Sequence, residues 1–292
     1  MERKQIMEKN KKKNIQKNYP VALTISASDS GGGSGIQADL RTFNAFGIYG
    51  CSVLTGVISS NPREVIRTDH VAAETVSAQL EAVTSAVDVT WVKTGALFNE
   101  NMIRAVVAAV KNNGLKLVCD PVVTSELPGE TVKSLTEDLL PQAEWITPGI
   151  AEAEILLGRQ ISGDEATRQA ALELAEKFNA SILLKGGDPD PQNSQGKLAK
   201  ACDIVVRNGR SYKLTSFYAA LPKYASHGAG CTLSAALTGC FALESPWKEA
   251  LCVSKAFVLG SLIESVEIGN GIHAMYPPTG EYMNSVAIEE IC

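Results

Sequence analysis

The sequence lacks the marks of several large protein classes. No apolar run is long enough to cross a bilayer, and the opening residues have no apolar signal core, so a cytoplasmic protein with no membrane partner is expected. The seven cysteines, at 51, 119, 202, 231, 240, 252 and 292, form no CxxC pair and no Cys/His metal spacing. That argues against a zinc module and for reduced thiols rather than a disulfide frame. Histidine is scarce, and His70, His227 and His273 are too scattered to form a metal site. No GxSxG motif is present, and no Gly-Lys-Ser/Thr follows Gly31-Gly32-Gly33-Ser34-Gly35, so that glycine run is not a P-loop. A net charge of −5 gives no general attraction to nucleic acid.

The chain has 292 residues, 45% of them hydrophobic and 20% charged, an ordinary globular composition. Residues 1–18 stand apart. Arg3, Lys4, Lys9, Lys11, Lys12, Lys13 and Lys17 face only Glu2 and Glu8, with few apolar residues, so a solvated basic arm is expected there. From residue 19 to 292 one domain is expected, because no repeat or Gly/Ser linker divides the chain. Short β-branched runs alternate with helical patterns. Strands are predicted at 21–26, 51–58, 90–93, 115–119, 144–147 and 181–184. Helices are predicted at 36–46, 73–87, 100–112, 130–140, 150–157, 164–179, 232–243 and 247–264. Asn208-Gly209 predicts a hairpin between 203–206 and 211–215, residues 59–62 a loop, and 216–226 an irregular segment. This order implies an α/β fold with a largely parallel sheet, whose ligands gather at the carboxyl ends of the strands.

The segment His227-Gly228-Ala229-Gly230-Cys231-Thr232 reads as a tight turn feeding a helix. The first amides of a helix lack partners and carry the positive end of its dipole, so a glycine-rich approach admits an anion. Cys231 in that first turn is either a thiol with a lowered pKa or a small hydrophobe packed under the helix. Other polar residues fall at predicted strand ends: Ser28, Ser60, Gly95, Asp120, Glu152 and Lys185-Gly186-Gly187. Asp120 and Glu152 are the pair suited to Mg²⁺ beside phosphates, strand-end capping being the alternative. Lys185 suits a phosphate, and Asp39, one turn into its helix, faces the first glycine loop or solvent.

These segments resemble the bacterial hydroxymethylpyrimidine/phosphomethylpyrimidine kinases of thiamine biosynthesis, a branch of the ribokinase-like superfamily. The resemblance runs from about residue 20 to 275. It is carried by Gly32-Gly33-Ser34-Gly35-Ile36-Gln37-Ala38-Asp39-Leu40, Lys93-Thr94-Gly95, Asp120-Pro121-Val122, Ile146-Thr147-Pro148, Lys185-Gly186-Gly187 and His227-Gly228-Ala229-Gly230-Cys231-Thr232. It implies a three-layer fold and transfer of the ATP γ-phosphoryl group to the hydroxymethyl group of an aminopyrimidine, then to its monophosphate. By the same resemblance Cys231 takes the alcohol proton, and the amides of Gly228, Ala229, Gly230 and Cys231 steady the moving phosphoryl group. Lys185, Gly186 and Gly187 meet ATP, and Asp120 and Glu152 serve Mg²⁺. Ser28, Asp39, Ser60, Gly95 and Val122 border the pyrimidine. The partner is then a small ring alcohol, and a homo-oligomer is expected.

The departures from the family pattern lie at the ligand end. Ser60 stands where Glu or Gln is usual, Gly149 where Asn is usual, and Ala96 where Met is common. The stretch Val123-Thr124-Ser125-Glu126-Leu127-Pro128 is short and lacks the family's Lys. Two alternatives therefore stand beside the main expectation: a pyridoxal kinase of the same fold, and a non-catalytic ligand-binding relative.

Overall fold

The structure, a computed structural model, describes residues 19–186, 200–217, 221–222 and 224–292. The basic arm at 1–18 and Gly187 lie outside the described residues.

Among the described residues, ten strands form one sheet, in the order β12-β9-β8-β7-β6-β5-β4-β1-β2-β3. Its centre is parallel: β1 (Val21–Asp29), β2 (Tyr49–Asn61), β4 (Trp91–Thr94), β5 (Lys116–Cys119), β6 (Ala143–Ile146) and β7 (Ser181–Leu184). The edges are antiparallel. β3 (Glu64–His70) pairs with β2 at one side, and β8 (Lys200–Arg207), β9 (Arg210–Phe217) and β12 (Val286–Ile291) extend the other. A small separate ladder joins β10 (Val266–Gly269) to β11 (Ile272–Ala274).

Strand alternation sends consecutive side chains to opposite layers. Leu117 and Cys119 face one core, where Met102, Ile103, Val106, Leu156 and Leu174 meet them; Val118 faces the other, beside Leu233, Leu237 and Leu251. The first layer holds α2 (Ala73–Thr84), α3 (Glu100–Asn113), α4 (Gly129–Ser134), α5 (Ile150–Leu157) and α6 (Asp164–Phe178). The second holds α1 (Gly35–Ala45), α7 (Ala229–Ala242) and α8 (Trp247–Ile263). The expected three-layer α/β arrangement is present. From β1 the chain steps outward to β2, then returns to place β4 on the other flank of β1. Such a reversal opens a cleft beyond the carboxyl ends of β1 and β4.

Two local expectations are corrected. Residues 59–61 continue β2, Pro62-Arg63 turns, and the chain returns as β3; proline is tolerated there because the ladder ends at it. The predicted 130–140 helix is present, α-helical to Ser134 and π-helical over Leu135–Leu139. Residues 216–217 belong to β9 rather than to an irregular segment. The Asn208-Gly209 hairpin and the 150–157 and 181–184 elements match their predicted positions.

Candidate active site

The helix α7 begins at Ala229, three residues before the predicted start at Thr232, so the glycine segment forms its first turn. Gly228 precedes it with φ +83°, and a Cβ there would run into the Gly33 carbonyl oxygen. Only glycine allows the two glycine-rich loops to touch in this way. The Ala229 amide is taken by the Ser226 carbonyl at 3.0 Å. Those of Gly230 and Cys231 lie in the first turn, where no intrahelical acceptor exists.

Beside that turn sits a chain of charges. Lys185 Nζ donates to Asp120 Oδ1 at 2.8 Å and lies 3.9 Å from Glu152 Oε2. The same ammonium lies over Gly230, so Lys185 joins the carboxylates to the helix start. Asp120 is further held by Ser234, whose Oγ lies 3.1 Å from Asp120 Oδ2. Glu152 Oε2 accepts from the Gly149 amide at 2.6 Å, capping α5. Burial works to raise Asp120, but Lys185 and Lys93 outweigh it and hold the carboxyl below its ordinary range. Glu152 moves the other way: burial raises it, Lys185 opposes, and Asp120 adds to the rise. The pair thus presents one firm anion and one carboxyl that ionises less readily.

Cys231 is half-buried, and its thiol contradicts the expectation of a lowered pKa. Burial pushes it up; Lys93 and the Gly35 amide pull down, while Asp120 and Asp39 push up further. Loss of hydration outweighs the helix-start position. Lys93, to which the sequence reading gave no role of its own, is the main cation acting on this sulfur, with Lys185 also interacting with it. It is fully buried, and its ammonium is held by Asp39 and kept charged by the carboxylates around it despite burial. Asp39 is buried just as completely and also accepts from Thr24 Oγ1 at 2.6 Å. Asp39 therefore lies beneath the cleft and does not border it.

The opposite wall is organised by Asp29. Its carboxylate accepts from Ser60 Oγ at 2.6 Å, from the Ser34 amide and hydroxyl at 2.9 Å each, and from the Gly31 amide at 2.9 Å. His227 Nε2 stands 3.2 Å away. Burial would raise Asp29, yet the bonds from Ser60, Ser34 and His227 bring it down to about 2. Ser60 lies within β2 rather than in a loop, and its hydroxyl is already engaged by Asp29. Ser28 Oγ accepts from Gln37 Nε2 at 2.7 Å. Gly95 packs on Ser26 and the Lys93 ammonium, and Val122, half-buried, donates its amide to the Asp120 carbonyl at 2.9 Å. The Gly186 amide is committed to Asp203 Oδ1 at 3.1 Å, which leaves it no hydrogen for a phosphate. The structure therefore gathers Cys231, Gly228, Gly230, Lys185, Asp120 and Glu152 at one end of the sheet, with Ser28, Ser60, Gly95 and Val122 around them. Lys93, Asp29 and His227 had no role of their own from sequence; Lys93 and His227 sit in quoted motifs, and what hid their roles was that Asp39 and Asp29 lie 54 and 198 residues away.

The family profile described as phosphomethylpyrimidine kinase matches residues 29–276. A hydroxymethylpyrimidine/phosphomethylpyrimidine kinase of Rhizobium meliloti is 38% identical over 86% of this chain and 94% of its own length. Among solved structures, the pyridoxal kinase from Staphylococcus aureus in complex with AMP-PCP and pyridoxal is similar at a TM-score of 0.80 and 27% identity, covering 94% of this chain and 99% of that one. A phosphomethylpyrimidine kinase from Clostridium difficile is similar at a TM-score of 0.70 and 32% identity, covering 82% and 99%.

Proposed function

The chain belongs to the phosphomethylpyrimidine kinase family, and from that premise we propose that it uses ATP to phosphorylate 4-amino-5-hydroxymethyl-2-methylpyrimidine and then the resulting monophosphate, in thiamine biosynthesis. The observation that carries the reading is the junction of the α7 start, Lys185 and Asp120, where Asp120 follows β5 and Lys185 follows β7 at the carboxyl end of the sheet. A transferring phosphoryl group needs donors and positive charge around its oxygens, and this junction supplies both.

The amides of Gly230 and Cys231 receive the phosphoryl oxygens, and Lys185 neutralises the nucleotide side. Cys231 Sγ takes the proton of the alcohol as the new O–P bond forms and the bond to ADP breaks. Cys231 enters as the thiolate, the form Lys93 favours; the dry surroundings that push its thiol up make the ionised sulfur a stronger base. Ser28, Ser60, Gly95 and Val122 line the alcohol's side, with Asp29 holding the loop that carries Ser34 against Ser60.

The residues present fit Mg²⁺. Among the described residues no group of three or more His, Cys, Asp and Glu forms a metal cage. Two carboxylates reached by one lysine are nevertheless the donor set this cation uses when phosphates and water complete its shell. Asp120 and Glu152 would hold it, directly or through water, and its contribution when bound is to neutralise phosphate charge. The free state of every described cysteine supports a cytoplasmic setting.

A second reading has its own support. The Staphylococcus aureus neighbour is a pyridoxal kinase, and Ser60 offers a ring a shorter contact than the family's Glu or Gln. The test is a coupled ADP-release assay on the pyrimidine alcohol, its monophosphate and pyridoxal, with and without Mg²⁺. Turnover of both pyrimidines, lost without Mg²⁺, is expected. Turnover of pyridoxal alone would replace the first reading by the second.

A further inference from the structure

Asp203 and Lys255 take no part in the chemistry above, yet they are buried to 4% and 8% exposure and bonded at 2.6 Å, Lys255 Nζ to Asp203 Oδ2. Lys255 comes from α8 and Asp203 from β8. The antiparallel register sets Ile204 opposite Leu184, which brings Asp203 beside the point where β7 ends. There Asp203 Oδ1 accepts from the Gly186 amide, while the preceding amide, of Lys185, donates to the Pro148 carbonyl at 2.8 Å. A Cβ at Gly186 would run into the Cys202 carbonyl, so only glycine lets the chain leave β7 along this line. Lys185 is therefore gripped from both sides, by the backbone after β6 and by the carboxylate on β8.

A buried ion pair is a weak device for stability alone, since well-packed apolar residues of like volume serve as well or better. Its charges matter more for what lies beside it. An unpaired carboxylate next to the Lys185-Gly186 backbone would act on incoming phosphates through poorly screened surroundings. We propose that Asp203 and Lys255 are positioning residues for the nucleotide: Asp203 sets the Lys185-Gly186 backbone, and Lys255 cancels the carboxylate charge that would repel the phosphates. The inference rests on the reading that Lys185 meets the phosphates of ATP.

The experiment uses the full chain and three variants: Lys255→Met, Asp203→Asn/Lys255→Met and Asp203→Ala/Lys255→Met. ADP affinity is measured by calorimetry, and KM is measured separately for ATP and for the pyrimidine alcohol. Lys255→Met should weaken ADP about tenfold or more and raise KM for ATP alike, with KM for the pyrimidine held within about twofold. The Asn/Met double variant leaves no lone charge and keeps an oxygen for Gly186, so its ADP affinity should return to within about threefold of the parent. The Ala/Met variant lacks that oxygen and should stay about tenfold weak. Because neither double variant buries an unpaired charge, their comparison decides the matter even where Lys255→Met fails to fold. Equal ADP affinity in the two doubles, or a rise of both KM values together, would overturn the proposal. Failure of the parent protein itself to bind ADP would instead remove the role of Lys185 and the kinase reading with it.

Discussion

Lys93 Nζ donates to both carboxylate oxygens of Asp39, at 2.7 and 2.8 Å, and solvent reaches neither side chain. Removing one member leaves the other charged in a dry site. Asp39→Asn should therefore cost about 3–5 kcal/mol of stability, read from urea unfolding. The double variant Asp39→Asn/Lys93→Met buries no lone charge and should recover part of that loss. A double variant less stable than the single one would show that the charges are not the reason for the pairing.

Cys231→Ala should leave ATP binding largely intact and lower kcat by about 10²–10⁴, the usual contribution of a positioned proton acceptor. Because burial raises the thiol above its ordinary 9.0, the reactive thiolate accumulates only as the pH rises. The kcat profile should accordingly climb on the alkaline side, and Cys231→Ser should abolish that limb. Unchanged turnover in Cys231→Ala would take the sulfur out of the mechanism.

The fold was legible where apolar periodicity is strong. The central strands are buried on both faces, so Val21–Ser26 and Ser181–Leu184 read as short, mostly apolar runs, and the helices between them carry regular stripes. What stayed hidden was the edge. β3 is exposed at every position, so Glu64–His70 shows no alternation of apolar and polar residues, and β12 mixes Val286 and Ile291 with paired glutamates. The site divides similarly. Lys185, Asp120 and the α7 start are readable because each ends or begins an element. The depth of Asp39 and the engagement of the Gly186 amide depend on Lys93 and Asp203, partners 54 and 17 residues away, which no local pattern reveals.

Mg²⁺ removal offers a separate check. Asp120 is the firmer anion of the carboxylate pair, and Lys185 already neutralises part of it. Asp120→Asn should raise the Mg²⁺ concentration needed for half-maximal turnover more than Glu152→Gln does. Chelation of the cation should abolish turnover in the parent chain. Full activity in excess chelator would exclude the assigned role of both carboxylates.

Asp29 gives a prediction about acid. Its pKa falls from an ordinary 3.8 to about 2, so the folded state holds this proton less tightly than the unfolded chain does. The resulting stability is fully present above about pH 4 and is lost as pH falls toward 2. A shift of this size corresponds to about 2 kcal/mol. Asp29→Asn should lower stability at pH 7 by that order and flatten the dependence between pH 4 and 2, measured by chemical unfolding at each pH. An unchanged slope would mean that the Ser60, Ser34 and His227 bonds do not hold the carboxylate as drawn.

In the proposed placement of the ring, Ser60 links that carboxylate to the choice of substrate. Its hydroxyl is spent on Asp29 at 2.6 Å, so a ring alcohol in the cleft meets a serine that has only its oxygen lone pairs left to offer. A longer amide at this position reaches past Asp29 and presents both a donor and an acceptor, which matches the amino and ring nitrogen edge of an aminopyrimidine better than it matches pyridoxal. Ser60→Gln should therefore lower KM for the pyrimidine alcohol several-fold, about 1 kcal/mol for one good hydrogen bond, and leave KM for ATP unchanged. The lost bond to Asp29 should appear separately, as a shallower acid dependence of stability. If Ser60→Gln changes neither alcohol's KM, the ring lies elsewhere along the cleft; if it impairs pyridoxal turnover alone, pyridoxal is the alcohol this serine serves.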